Sequence, residues 1–438
     1  MSHNLFVVVR SEVFRWPHFL QEIPLACLPQ FGLHRGEQRS ILRLRRVTKV
    51  PFFDLKRQFL PLREEILSEI AAICDAQNFI LGSRVEELEE AIASLSGGGY
   101  AVGVSSGTDA ELLILTALGI GPGDAVVTTP FTFFSTAGCI ARMRAKPVFV
   151  DIDPETLSLS PEKLELFFST QCIFDERGVR TRDGLRIKAV IPVHLFGLCC
   201  PMDEIQAICE RYPVPVIEDA AQAIGAAYPS SEGIKHAGGI AEFGFFSFYP
   251  TKNLGAFGDA GMAITRDDRL AARMKVLRNH GMDPKYQHEL VGGNFRLDSL
   301  QAAILLKKLP HLADWSKRRW AIAQRYRNEW ANLAPQLRLP AEPYARQLGH
   351  QGHIYHQFVV RTALREELRE YLKGCGIGTD IYYPVPLNLQ KSFAYLGTGS
   401  LPESEAAARQ VLALPIFPEL TDSEIELVAD AVTAFFKK

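Results

Sequence analysis

FGFFSFYPTKNLGAFGDAG, residues Phe243 to Gly261, is an aromatic and glycine-rich stretch without helical periodicity, and it holds a single lysine, Lys252. Phe245, Phe246, Phe248 and Tyr249 precede that lysine, and Gly255, Gly258 and Gly261 follow it. An ammonium beside so much apolar surface is disfavoured, so its pKa falls and its amine becomes available as a nucleophile. An imine with an aldehyde cofactor is the obvious use of such an amine. A solvated lysine is the plainer alternative, and the stretch alone leaves both open.

The runs around it set the fold. Tyr100–Val104, Ala125–Thr129, Pro147–Asp151, Lys188–Val193 and Val214–Ile217 are short apolar runs of strand length, separated by helical segments. Strands without polar alternation, spaced by helices, imply a sheet covered on both faces. The α/β rhythm covers about 95 to 270. Thr170–Gly184 is polar, breaks the rhythm, and is expected to be a surface insertion. After Asn294 the chain turns helical, and Thr421 with Glu424 predicts a capping box on a final helix with an apolar stripe of Ile425, Val428, Val432 and Phe435. The expected division is an N-terminal extension over 1–49, a large domain over 50–299 and a smaller α+β domain over 300–438.

Four further features lie at strand ends, where open α/β sheets bind ligands. SSGTDA, Ser105–Ala110, joins a strand to a helix, so Gly107 and Thr108 are candidate phosphate ligands at a helix start; a plain capped βα turn is the alternative. Asp219 in VIEDAAQAIGA ends a buried run and can keep a pyridine nitrogen protonated, or simply cap a helix; Gln222 lies one turn on. Phe133 in TTPFTFFSTAGC can stack on a planar ring or pack in the core. His194 in PVHLFG is either a substrate contact or a structural histidine. Together these supply an amine, an acid, an anion cradle and an aromatic plate, the parts that pyridoxal phosphate needs. Glu111 stands on an otherwise apolar helix, and no role for it follows from the sequence.

With these residues in view, the chain resembles the sugar aminotransferases of the DegT/DnrJ/EryC1/StrS family. The resemblance runs from about Val50 to the C-terminus through PFFDLKRQF, SSGTDA, PFTFFSTA, PVHLFG, VIEDAAQAIGA, SFYPTKNLGAFGDAG, GGNFRLDSLQAA, YYPVPLNLQ and LALPIFPEL, in that order. It implies an α/β fold, the fold type I of pyridoxal phosphate enzymes: a large three-layer domain with a mixed, mostly parallel sheet, plus a smaller C-terminal α+β domain. By the same resemblance Lys252 carries the cofactor, Asp219 pairs with the ring nitrogen and Gln222 meets the ring's 3′-oxygen. Gly107, Thr108 and Ser247 bind the phosphate, and Phe133 stacks on the ring. Asn294 completes the phosphate site of a neighbouring subunit, so a homodimer is expected. His288 and Arg296 are within reach of a nucleotide sugar, although Arg296 is equally an ion-pair partner. The implied reaction takes an amino group from an amino acid, usually glutamate, to a keto group of a nucleotide-linked sugar. Asn388 stands in PVPLNLQ where many members have histidine, which favours a 3-keto over a 4-keto acceptor. A non-catalytic cofactor-binding or regulatory protein on the same scaffold is the other reading. A sugar dehydratase on this scaffold has histidine in place of the lysine, and Lys252 argues against it.

The 438 residues carry a net charge of −2. That near-balance gives no pull toward nucleic acid or an anionic membrane, and no apolar run is long enough for a membrane span. The eight cysteines form no CxxC pair, which predicts a reducing cytoplasm and no metal site. The first 49 residues end in a basic run (Arg43, Arg45, Arg46, Lys49) and lack the order of a signal peptide, so they read as a loosely attached extension or a misassigned start.

Overall fold

The computed structural model describes residues 5–9, 12–16 and 49–437. β1 (Leu5–Val9) and β2 (Glu12–Trp16) pair antiparallel; the rest of the expected extension, Lys49 apart, lies outside the described residues. Helices α1 (Leu55–Ala76) and α2 (Ser83–Leu95) follow. The side chain of Asp54 caps α1 by accepting from the N–H groups of Lys56 and Arg57.

Strand and helix then alternate: β3 (Tyr100–Val104), α3 (Gly107–Ala117), β4 (Asp124–Thr128), α4 (Phe134–Arg142), β5 (Lys146–Phe149) and α5 (Pro161–Gln171). Next come β6 (Cys172–Asp175), β7 (Gly178–Thr181), β8 (Arg186–Ile191), α6 (Met202–Arg211) and β9 (Ile217–Asp219). A small hairpin of β10 (Ala227–Ser230) and β11 (Gly233–His236) precedes β12 (Phe243–Ser247), β13 (Gly261–Thr265) and α7 (Asp268–Leu277). Strands β3, β13, β12 and β9 are bonded in that order, and parallel bridges Val190–Val216 and Val193–Asp219 continue the sheet into β8. β4 and β5 lie beyond, both parallel. β13 alone in this array runs antiparallel to both of its neighbours. The sheet is therefore mixed and mostly parallel. The Thr170–Gly184 segment is not a plain loop: β6 and β7 form a hairpin that joins the sheet edge through Arg180 and Arg186.

The pleat sends Phe245 to one face and Phe246 to the other, each 1% exposed. Phe245 packs in an apolar cluster with residues of α3, α4 and α7, and Phe246 in one with residues of α2, α5 and α6. Two helical layers over one sheet thus give three layers, and each buried phenylalanine contributes about 1.5–3 kcal/mol.

The C-terminal part contains α8 (Ser299–Lys308), α9 (Leu312–Trp330), β14 (Phe358–Arg361), α10 (Arg365–Gly374), α11 (Pro402–Gln410), β15 (Val411–Leu414) and α12 (Asp422–Phe436). α8 packs on α1 and α2 and adds Ala302 and Leu305 to the large-sheet core. A second core forms between α9, α10, α12 and the antiparallel pair β14–β15, centred on Tyr326, Trp330 and Phe358. Val50 joins that second core from the start of the chain. The capping box of α12 has both halves, with Thr421 accepting from the Glu424 N–H and Glu424 accepting from the Thr421 N–H.

Candidate active site

All the parallel strands of the large sheet end on one edge, and a cavity of about 750 Å³ opens there. Ser106, Gly107 and Thr108 from the start of α3 line it, with Phe133 and Phe134 after β4, Asp219 and Gln222 after β9, and Ser247, Tyr249 and Lys252 after β12. His356, Gln357, Tyr382, Tyr383 and Gln390 close it from the C-terminal part.

Each side chain has a local reason for its place. Ser106 caps α3 by accepting from the Asp109 N–H at 3.0 Å, which leaves the Gly107 and Thr108 amides at the helix start facing the cavity. Such a start favours an anion by about 0.3–1 kcal/mol. A Cβ on Gly107 would stand 2.7 Å from the Ser247 Cβ, so only glycine lets the helix start approach β12. Asp219 is fixed by the Thr136 hydroxyl (2.8 Å to Oδ2) and the Ala221 N–H (3.1 Å to Oδ1). Burial raises its pKa, against the pull of those two hydrogen bonds and the Lys252 charge. Burial lowers Lys252 to about 8, with Asp219 opposing. Gln222 accepts from the Phe196 N–H at 2.8 Å and donates to the Tyr383 hydroxyl at 3.0 Å.

Three lining residues that matter here, Tyr383, Gln390 and His356, and Thr136 behind Asp219 carried no signal in the sequence. Tyr383 and Gln390 lie in YYPVPLNLQ, on either side of Asn388. His356 and Thr136 sit in apolar surroundings that gave no signal. His356 Nδ1 lies 3.1 Å from Asn253 Oδ1, so Nδ1 carries the proton and Nε2 is free to accept. Burial, with the nearby Lys252 charge, holds this ring well below its usual pKa and therefore neutral.

Two expected substrate residues are elsewhere. His194 is fully buried, accepts the Cys200 N–H at Nδ1 (3.1 Å) and faces Glu218 Oε2 from Nε2 (2.9 Å). It braces the loop after β8 and does not line the cavity, because the pleat turns it away from the face Asp219 presents. Asn388 is also buried outside the cavity lining, its Nδ2 3.5 Å from Glu405, while its neighbour Leu387 faces in. Asn294, His288 and Arg296 lie outside the cavity of their own chain; Arg296 donates to Asn279 Oδ1 at 2.8 Å and His288 Nδ1 meets the His280 carbonyl at 3.0 Å.

The donor set fits pyridoxal phosphate: a depressed amine for the aldehyde, a carboxyl for the ring nitrogen, and two helix-start amides beside a hydroxyl for the phosphate. Among the described residues no cluster of three or more His, Cys, Asp or Glu is placed to hold a metal, and no helix is long and apolar enough to cross a membrane. Residues 61–433 match the DegT/DnrJ/EryC1/StrS aminotransferase family. A Geobacillus stearothermophilus protein described as a pleiotropic regulatory protein is 43% identical over 390 residues, covering 89% of this chain and 99% of its own. A UDP-N-acetyl-3-dehydro-alpha-D-glucosamine 3-aminotransferase of Acidithiobacillus ferrooxidans is 40% identical, covering 88% of this chain and 97% of its own. The crystal structure of S. venezuelae DesV in complex with a ketimine intermediate superposes with a TM-score of 0.81 at 38% identity, covering 89% of this chain and 99% of that one. The chain belongs to the DegT/DnrJ/EryC1/StrS aminotransferase family and is a pyridoxal phosphate-dependent aminotransferase.

Proposed function

We propose that the enzyme moves the amino group of L-glutamate to the 3-keto group of a nucleotide-linked sugar. The observation that carries the chemistry is Lys252, an amine depressed to about 8, in one cavity with Asp219. The 3-keto position draws its support from the 40%-identical relative named as a 3-aminotransferase. Asn388, set outside the cavity lining, no longer argues for it by facing the sugar.

When bound, the cofactor supplies an aldehyde that takes the amine and a ring that accepts the electron pair released at the donor's α-carbon. Lys252 holds the aldehyde at rest. With the cofactor and donor bound, the neutral amine of Lys252 would carry the proton between the donor's α-carbon and the cofactor's C4′. Asp219 keeps a proton on the ring nitrogen, and Thr136 and the Ala221 N–H keep Asp219 aimed. Gln222 would meet the 3′-oxygen, Phe133 would cover the ring, and Gly107, Thr108 and Ser247 would hold the phosphate. The acceptor ketone then receives the amine by the same proton transfers in reverse.

A homodimer completes this site. Among the described residues that line the cavity, Lys252 is the one lysine or arginine, and it is committed to the cofactor. A glutamate carboxylate and a nucleotide diphosphate both need cations. Asn294, His288 and Arg296 of a second subunit supply the missing phosphate ligand and charge. Glutamate and nucleotide sugars are cytoplasmic metabolites, which sets the reaction there.

Mixing the cofactor-loaded protein with glutamate tests the donor: release of 2-oxoglutarate supports glutamate, and none refutes it as the donor. Presenting the aminated cofactor form with UDP- and dTDP-linked 3-keto and 4-keto sugars then reads the acceptor. Turnover of the 4-keto sugar alone would refute the 3-keto assignment.

A further inference from the structure

The loop that carries Lys252 is tight and closes on itself. The Phe248 N–H donates to the Ala260 carbonyl, the Ala256 N–H to the Phe248 carbonyl and the Lys252 N–H to the Tyr249 carbonyl, each at 2.8 Å. A Cβ on Gly255 would stand 2.3 Å from the Pro250 carbonyl oxygen, so the turn leaves no room for a side chain there. Two backbone groups of the outgoing limb are met from outside the loop, both by α8. The Gly255 carbonyl accepts from Lys308 Nζ at 2.6 Å, and the Phe257 N–H donates to Gln301 Oε1 at 2.8 Å.

Neither Gln301 nor Lys308 lines the cavity. Lys308 is 3% exposed, and a fold keeps a lysine that dry only where its ammonium is well partnered. Its Nζ also lies 5.0 Å from the centre of the Phe257 ring, which meets Phe59 of α1 edge to face at 5.5 Å. α8 packs on α1 and α2, so both ties run from the loop to a fixed support. Next to Lys252 itself, the Asn253 side chain donates to the Ile354 carbonyl at 3.2 Å and faces His356 Nδ1 at 3.1 Å.

While Lys252 is joined to the cofactor, that bond fixes its amine. Once the amine is free to carry a proton, the loop alone fixes it, and small displacements of a reacting group are costly. We propose that Gln301 and Lys308 are positioning residues acting through Lys252: from α8 they hold the Gly255–Phe257 limb so that the freed amine stays in line for proton transfer. The proposal rests on the reading that Lys252 is both tether and proton carrier. Its consequence is that loosening α8 from the loop slows proton transfer and leaves capture of the cofactor and affinity for the donor alone.

Two measurements on Gln301→Met, Gln301→Glu and Lys308→Met test it. Methionine keeps much of either side chain's length without the bonding group, and Gln301→Glu keeps an oxygen that accepts from the Phe257 N–H. In the cofactor-free protein, amide hydrogen exchange over residues 249–257 should be about tenfold faster in both methionine variants and native in Gln301→Glu. In the loaded protein mixed with saturating glutamate, the absorbance of the Lys252–cofactor linkage should decay about tenfold more slowly in the methionine variants, with half-saturation unchanged. That slower decay should carry an isotope effect from α-deuterated glutamate no smaller than native, a signature that a purely structural support would not produce. Should Lys308→Met fold poorly, the Gln301 pair decides, because the Phe257 segment is exposed and water can take the freed N–H. Native exchange in the methionine variants, a slower decay without the isotope effect, or Gln301→Glu as slow as Gln301→Met overturns the proposal. A native protein with no Lys252-linked absorbance would instead overturn the site reading, and the exchange result stands apart from that.

Discussion

Lys252 is held at about 8 because burial disfavours its ammonium more than Asp219 favours it. The amine must be neutral to attack an aldehyde, and its neutral fraction rises with pH through that value. Capture of pyridoxal phosphate by the cofactor-free protein should therefore quicken as pH climbs, with a half-point near 8, read by stopped-flow absorbance. A rate flat between neutral and alkaline pH would mean that the amine is not limiting. Replacing Lys252 by Ala removes the group proposed as both proton carrier and tether, and turnover should drop at least about 10²–10⁴-fold while the circular dichroism spectrum persists. Much of this was legible in the sequence, because a lysine that follows Phe245, Phe246 and Phe248 sits beside three rings that the fold buries, although Tyr249 next to them stays half exposed. Tyr383 and His356 were not legible, since contacts with Gln222 and Asn253 join positions more than a hundred residues apart.

At the scale of an element, the start of α3 depends on the bare backbone of Gly107. Gly107→Ala forces its Cβ to 2.7 Å from Ser247, and separating α3 from β12 should cost about 1–3 kcal/mol and weaken phosphate binding. The check is a denaturant melt with and without cofactor; equal stability and equal affinity would contradict the close approach. The loop after β8 depends on His194 in a different way. His194→Ala leaves a hole and unpairs one Glu218 contact and the Cys200 N–H, so about 3 kcal/mol of stability should go, with KM for the sugar unchanged in whatever protein folds. A raised KM at native stability would restore the substrate role that the sequence suggested. The strand runs in the sequence located the parallel part of the sheet within a residue or three at each end. β12 and β13 were not read as strands, because glycine interrupts FGFFS and the burial of both faces leaves no alternation to read. The polar Thr170–Gly184 segment likewise concealed a hairpin, whose pairing needs the sheet edge to be seen.

For the whole molecule, the claim is that one copy is catalytically incomplete. The variants Lys252→Ala and Asn294→Ala with Arg296→Ala put their lesions in what we assign to opposite contributors of one site. Each alone should be nearly inactive. Mixed and allowed to exchange subunits, they should regain roughly a quarter of native turnover, because half of the dimers then hold one intact site. Mixtures no more active than their parts would place Asn294 and Arg296 outside the neighbour's cavity. This level was the least legible in the sequence: GGNFRLD names the residues, and only the absence of a second cation among the described cavity-lining residues gives a physical reason for them to be lent across an interface.

The most direct test of the account is to load the native protein with pyridoxal phosphate, reduce it with borohydride and map the modified peptide. We predict one adduct, on Lys252, and none on that peptide in Lys252→Arg. An adduct on another lysine, or no adduct in the native protein, would contradict it.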